Sequence, residues 1–145
     1  MRHLTEQASR DALTGVFNRH QLGTALAHEF ELASRQNWLL SIAFIDLDDF
    51  KRVNDTHGHP VGDAVLRNCA RTLQRMVRTS DLTTRYGCEE FLLILVNTAA
   101  EAALIVIKRI LPETPRTPMA QLQGGPAPSH PLGRPGHAWR QRPPV

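Results

Sequence analysis

Apolar residues recur at helical spacing after Asn18. Leu22, Leu26, Phe30 and Ala33 mark one face of a helix, and Asn18 with Gln21 three residues later supplies its N-terminal cap. The pattern then changes: Leu39 to Ile45 (LLSIAFI) is a short apolar run that stops at Asp46, Asp48 and Asp49, which predicts a buried strand opening onto an acidic mouth. Beyond the polar stretch Asn54 to Asp63, the residues Val65, Leu66, Cys69, Leu73, Met76 and Val77 return to the helical period and predict a second helix. Asp81 to Tyr86 and Glu89 to Val96 read as two strands joined at Gly87-Cys88 by a two-residue turn. Thr98 and Glu101 form a capping box ahead of a third helix, Ala99 to Leu111, which Pro112 ends. The order is helix, strand, helix, β-hairpin, helix, and the fold class it predicts is α/β (α+β).

Composition divides the chain. Nine of its 10 prolines and four of its 9 glycines fall in residues 112–145 of the 145, so this Pro/Gly-rich tail is expected to be disordered and the core to end near Leu111. Residues 1–111 carry 13 Lys and Arg against 13 Asp and Glu, so the formal charge of +3 comes from the tail's Arg116, Arg134, Arg140 and Arg142 against Glu113. A basic core surface for nucleic acid is therefore not expected. No apolar run approaches the ~18 residues of a membrane helix, and the polar N-terminus lacks a secretory signal, which together predict a cytoplasmic protein. Two cysteines, Cys69 and Cys88, are too few for a disulfide framework.

Two acidic clusters invite chemistry. Asp46-Leu47-Asp48-Asp49 follows one strand and Glu89-Glu90 follows the hairpin turn; if those strands are neighbours, Asp46 and Glu89 suit a hard divalent cation that keeps positions free for phosphate oxygens. Solvated acids at strand ends are the plainer alternative. His57 and His59 form a His-x-His pair without a nearby third ligand for zinc, and Asp63, just ahead of the second helix, serves equally as its N-cap. Arg67, Arg71, Arg75 and Arg78 form a basic stripe opposite that helix's apolar face.

The stretches DALTGVFNRH (Asp11 to His20), DLDDFKRVNDTHGHPVGDAVL (Asp46 to Leu66) and RYGCEEF (Arg85 to Phe91) stand in the order and spacing of a GGDEF domain, so that residues 9–111 resemble the diguanylate cyclase family. The resemblance implies a palm-like nucleotidyl cyclase fold, incomplete at the C-terminus, with residues 1–8 as a connecting segment. It implies a homodimer that condenses two GTP into cyclic di-GMP with Mg²⁺, or Mn²⁺ as an alternative. It assigns metal binding to Asp46, the Leu47 carbonyl and Glu89, and catalysis to Glu89, Glu90 and Lys51. GTP binding falls to Phe50, Asn54, His59, Asp63 and Gly87, with Asn54 and Asp63 reading guanine edges. Arg78-Thr79-Ser80-Asp81 matches the family's RxxD inhibitory product site, to which Arg109 would add a second arginine. Two departures bear on activity: Cys88 replaces the signature's second glycine, and the family's later segments have no counterpart after Leu111. A weak or inactive cyclase is therefore expected, with a silent module binding cyclic di-GMP through the RxxD site as the alternative.

Overall fold

The computed structural model describes residues 9–113 and, for backbone pairing, 118–126. The expectations for residues 1–8, 114–117 and 127–145 lie outside the described residues.

Helix α1 (Arg19–Gln36) starts as its sequence predicts, with the Asn18 side chain accepting from the Gln21 amide at 2.9 Å. It stops at Asn37, whose left-handed backbone (φ 54°) turns its N–H onto the carbonyls of Ala33 and Ser34. Strand β1 (Leu39–Leu47) follows, then the short helix α2 (Phe50–His57) and the longer α3 (His59–Met76). The hairpin is β2 (Leu82–Arg85) and β3 (Glu90–Val96), followed by α4 (Ala100–Ile110), a 3₁₀ turn (Leu111–Glu113) and β4 (Pro118–Pro126).

The sheet order is β2-β3-β1-β4, every neighbouring pair antiparallel, which is the split βαβ arrangement. Because side chains alternate along a strand, both central strands bury both faces. Ala43, Ile45, Leu47, Phe91, Leu93 and Leu95 face α3 and α4 with Leu66, Cys69, Leu73 and Ile107, while Leu40, Ile42, Leu92, Ile94 and Val96 face α1 with Leu22, Leu26 and Phe30. The result is one helix on one side of the sheet and the rest on the other.

Four sequence expectations change. The stretch Asn54 to Asp63 is almost wholly helical: Gly58, at φ 86°, breaks it into α2 and α3, so Asp63 lies inside α3 and Gly58, not Asp63, is the cap residue. The hairpin loop is longer than two residues. Tyr86 donates to the Glu90 carbonyl at 2.8 Å, and neither Gly87 nor Cys88 has positive φ, so type I′ and II′ turns both drop out and Cys88 sits without strain. Thr98 does not cap α4, because its hydroxyl donates to the Val96 carbonyl and accepts from Arg78. Finally, residues expected as tail form β4 along the whole of β1, covering backbone donors and acceptors that would otherwise leave β1 an open edge.

Candidate functional site

The antiparallel pairing of β1 with β3 brings the end of one strand to the beginning of the other. Asp46 is the register partner of Glu90, and the Leu47 amide donates to the Glu89 carbonyl at 3.0 Å. Asp46, Glu89 and Glu90 therefore meet at one rim of the sheet, as the spacing of the two acidic clusters predicts. Burial pushes the Glu89 carboxyl above its ordinary pKa, and the charges of Asp46 and then Glu90 push it further. This is a site short of positive charge. Among the described residues no group of three His, Cys, Asp or Glu side chains is arranged to enclose a metal ion. Two carboxylates with a backbone carbonyl are instead a partial oxygen donor set, of the kind that suits a hard cation still carrying water or phosphate ligands.

Lys51 is exposed in the first turn of α2, just beyond the acids. Asp49 reaches left-handed backbone (φ 56°) at the start of that helix and makes no side-chain cap bond, so the first-turn amides are not satisfied by it. Phe50 has its side chain buried in the core, which leaves its backbone as the part open to a nucleotide contact. Asn54 lies against α3 where Gly62 has no side chain. A Cβ on Gly62 would stand 1.8 Å from Asn54 Oδ1, and that oxygen is buried without a hydrogen-bond partner. His59 is exposed and Asp63 half-buried; four residues apart on α3, they share a face. Gly87 packs against the Glu90 carboxylate, 3.0 Å from where its Cβ would be. His57 and His59 gather no third ligand among the described residues. A cleft of about 210 Å³ along α2, lined by Arg52, Val53, Thr56 and His57, contains none of the predicted residues.

The RxxD segment has a different character. Asp81 is buried and its carboxylate accepts from the Arg78 amide (3.0 Å), Arg78 Nε and Nη2 (3.2 Å each) and the Val96 amide (3.0 Å). Arg78 Nη2 also reaches the Val96 carbonyl and Thr98 Oγ1. The pair thus ties the exit of α3 to the end of β3. Arg109 is exposed in the last turn of α4, and among the described residues no hydrogen bond or ion pair joins it to Arg78.

Three further residues shape the site without having been assigned a role. Gly62 makes room for Asn54; Arg85 bridges Asp11 to the Cys88 carbonyl. Tyr86 packs its ring edge-on against Phe44, 5.6 Å between centroids, and lies under the Arg19 guanidinium at 4.4 Å. The glycine was visible in the sequence, whereas the pairing of residues 11 and 85 depends on tertiary structure.

The sequence matches the family described as "Diguanylate cyclase, GGDEF domain" over residues 8–124, a span that includes most of β4. Among curated relatives, the probable diguanylate cyclase DgcC of Escherichia coli is 38% identical over 138 residues, or 90% of this chain and 37% of the relative. The response regulator PleD of Caulobacter vibrioides is 39% identical over 122 residues, 84% of this chain and 27% of PleD. The chain spans about a third of the length of these relatives. Two solved structures superpose with a TM-score of 0.73: diguanylate cyclase SiaD of Pseudomonas aeruginosa with its activator SiaC (35% identity, 85% of this chain, 51% of SiaD), and the GGDEF domain of DgcB from Caulobacter crescentus in complex with c-di-GMP (27% identity, 81% and 74%). Among the described residues no helix is long and apolar enough to cross a membrane.

Proposed function

The chain belongs to the diguanylate cyclase (GGDEF domain) family, and on that footing we propose that it binds GTP with Mg²⁺, or Mn²⁺, and that two such chains face each other to join two GTP into cyclic di-GMP. The carrying observation is the meeting of Asp46, Glu89 and Glu90 at one sheet rim, where the Glu89 pKa is raised by burial and by its two neighbours. Asp46, Glu89 and the Leu47 carbonyl would hold the cation, which when bound neutralises phosphate charge and polarises the α-phosphate.

The remaining chemistry belongs to side chains. Lys51, at the first turn of α2, offsets phosphate charge, and the first-turn amides offer donors to phosphate oxygens. Asn54 and Asp63 read guanine: the carboxylate accepts from the ring N–H and amino group, and the amide meets the base's acceptors, a pattern adenine cannot satisfy. His59, on the same helical face as Asp63, lies against the nucleoside. Glu89 takes the proton of the 3′-hydroxyl as that oxygen bonds to the partner nucleotide's α-phosphorus and pyrophosphate leaves. Glu90 flanks the reacting groups. Done once by each chain, the step yields one cyclic di-GMP and two pyrophosphates. Since GTP is the substrate, the reaction is placed in the cytoplasm.

The alternative, a silent module that binds cyclic di-GMP through Arg78 and Asp81, is less favoured because the Asp81 carboxylate is already filled by four N–H groups. The experiment is incubation of the purified chain with GTP and Mg²⁺, with cyclic di-GMP and pyrophosphate resolved by chromatography. Product that disappears in Asp46→Asn and Glu89→Gln supports the cyclase. Absence of product together with tight cyclic di-GMP binding would establish the alternative.

A further inference from the structure

Residues 10–18 lie outside the helices and the four strands, yet they run along the open side of β2. Phe17 donates to the Thr83 carbonyl at 3.1 Å and accepts from the Arg85 amide at 2.8 Å, forming a parallel bridge to Thr84. Within this segment Asp11 closes its own turn: its amide donates to the Val16 carbonyl (2.7 Å), its carbonyl accepts from the Gly15 amide (2.8 Å), and its carboxylate accepts from the Thr14 amide (2.9 Å) and hydroxyl (2.6 Å). Gly15 supplies the positive φ of 77° that the turn requires. Asp11 is therefore fixed before any distant residue meets it.

Arg85 is that distant residue. Its Nη1 donates to both Asp11 oxygens, at 3.1 and 3.2 Å, and its Nη2 donates to the Cys88 carbonyl at 2.9 Å. A guanidinium is planar and rigid, so holding one end fixes the other. The Cys88 carbonyl belongs to the peptide that leads into Glu89, and the carbonyl on the far side of Glu89 accepts from the Leu47 amide at 3.0 Å. Both peptide planes flanking the Glu89 α-carbon are thus pinned, one by Arg85 and the other by β1, and only the side-chain torsions remain free. The Nε of Arg85 is buried without a partner, a cost the fold bears to keep the side chain in this pose.

We propose that Arg85 is a positioning residue for Glu89: through the Cys88 carbonyl it aims the Glu89 carboxylate toward Asp46, and through Asp11 it makes that aim depend on residues 10–18. The proposal rests on the reading of Glu89 as a cation ligand. It gives the N-terminal segment a direct mechanical path to the acids, by one side chain and one peptide.

The test uses the full chain, with Mn²⁺ and 3′-deoxy-GTP, which lacks the attacking hydroxyl, so that binding is read without turnover. Arg85→Lys keeps a positive charge for Asp11 but cannot fork to Cys88. Expected are an unchanged nucleotide affinity without metal, an Mn²⁺ affinity about tenfold weaker by electron paramagnetic resonance, and faster hydrogen exchange at the Leu47 amide. Wild-type Mn²⁺ affinity and wild-type exchange at Leu47 in Arg85→Lys overturn the proposal. Should that variant fail to fold, Asp11→Asn carries the same test, since it leaves the Cys88 contact in place but releases its anchor. Glu89→Gln separates the two levels. If it retains full Mn²⁺ affinity, the cation reading itself fails; if it loses affinity while both Arg85→Lys and Asp11→Asn keep it, only the positioning role fails.

Discussion

Replacing Gly62 by alanine puts a methyl group 1.8 Å from Asn54 Oδ1, 2.9 Å from Asn54 Cγ and 3.2 Å from Phe50 Cζ. Contacts that short are not tolerated, and the flexible Asn54 amide must move while the buried Phe50 ring gives slightly. For the fold the effects oppose each other. Alanine is better than glycine inside a helix by about 1 kcal/mol, and overfilling a packed contact costs typically ~1–3 kcal/mol. A net loss of no more than about 2 kcal/mol is expected, which thermal melting will read as a few degrees. For GTP the displacement is more serious, because the amide that meets guanine leaves its place. Two lost hydrogen bonds at about 1 kcal/mol each amount to roughly 30-fold weaker binding. Calorimetry with GTP and Mg²⁺ on wild type, Gly62→Ala, Asn54→Ala and the double variant measures the coupling directly. Asn54→Ala removes the group the methyl would displace, so adding Gly62→Ala to it will cost little further affinity. Independent, additive losses in the double variant, or near-wild-type GTP affinity in Gly62→Ala, would refute the reasoning.

Three other outcomes are expected. Because the Glu89 pKa is raised by folding, the stability linked to its protonated form is fully present below the ordinary glutamate pKa and lost as pH rises through the raised one; Glu89→Gln will therefore melt higher than wild type at pH 7 without metal and show a flatter dependence of melting temperature on pH. Cys88 is exposed, whereas the buried Cys69 thiol is pushed up to about 12 by desolvation, so a thiol reagent will label one cysteine in the native protein and the second only in denaturant, and bound GTP with Mg²⁺ will slow the first. Arg78→Ala leaves the buried Asp81 carboxylate with backbone donors alone and will cost about 2 kcal/mol of stability by chemical denaturation; its cyclic di-GMP affinity by calorimetry decides whether the same side chain also serves a ligand.

The parts of the fold legible in the sequence are those where one residue pattern and one environment agree. Leu22, Leu26, Phe30 and Ala33 pack as their spacing predicts, and the run from Leu39 is buried on both faces because its strand is central. Asp46 and Glu89 were legible as a pair since each ends or begins an apolar strand. Local signals failed where tertiary partners competed for the same groups. Thr98 has the composition of a cap, but Arg78 and the Val96 carbonyl take its hydroxyl. The polar stretch around Gly58 reads as a loop, yet one glycine at positive φ suffices to join two helices, and the polar residues lie mostly outward. Residues 118–126 have little strand propensity of their own, and their conformation follows from the free side of β1. The contact between Asp11 and Arg85 spans 74 positions and leaves no local trace.

The pairing of β4 with β1 also has a consequence for synthesis. Its register runs from Leu39↔Pro126 to Leu47↔Pro118, making it the most non-local strand pairing among the described residues. On a ribosome adding ~5–20 residues per second, the interval between making Leu47 and making Pro118 is roughly 4–14 s. During it β1 gains β3 as a partner only once Val96 has been made, and its other edge stays bare throughout. A nascent chain in that condition exposes the unpaired edge of the very strand that carries Asp46. A product terminated before residue 118 would hold that edge open for its lifetime, with another copy of itself as a ready partner. Among the described residues, only chains translated past β4 can cover that edge of β1.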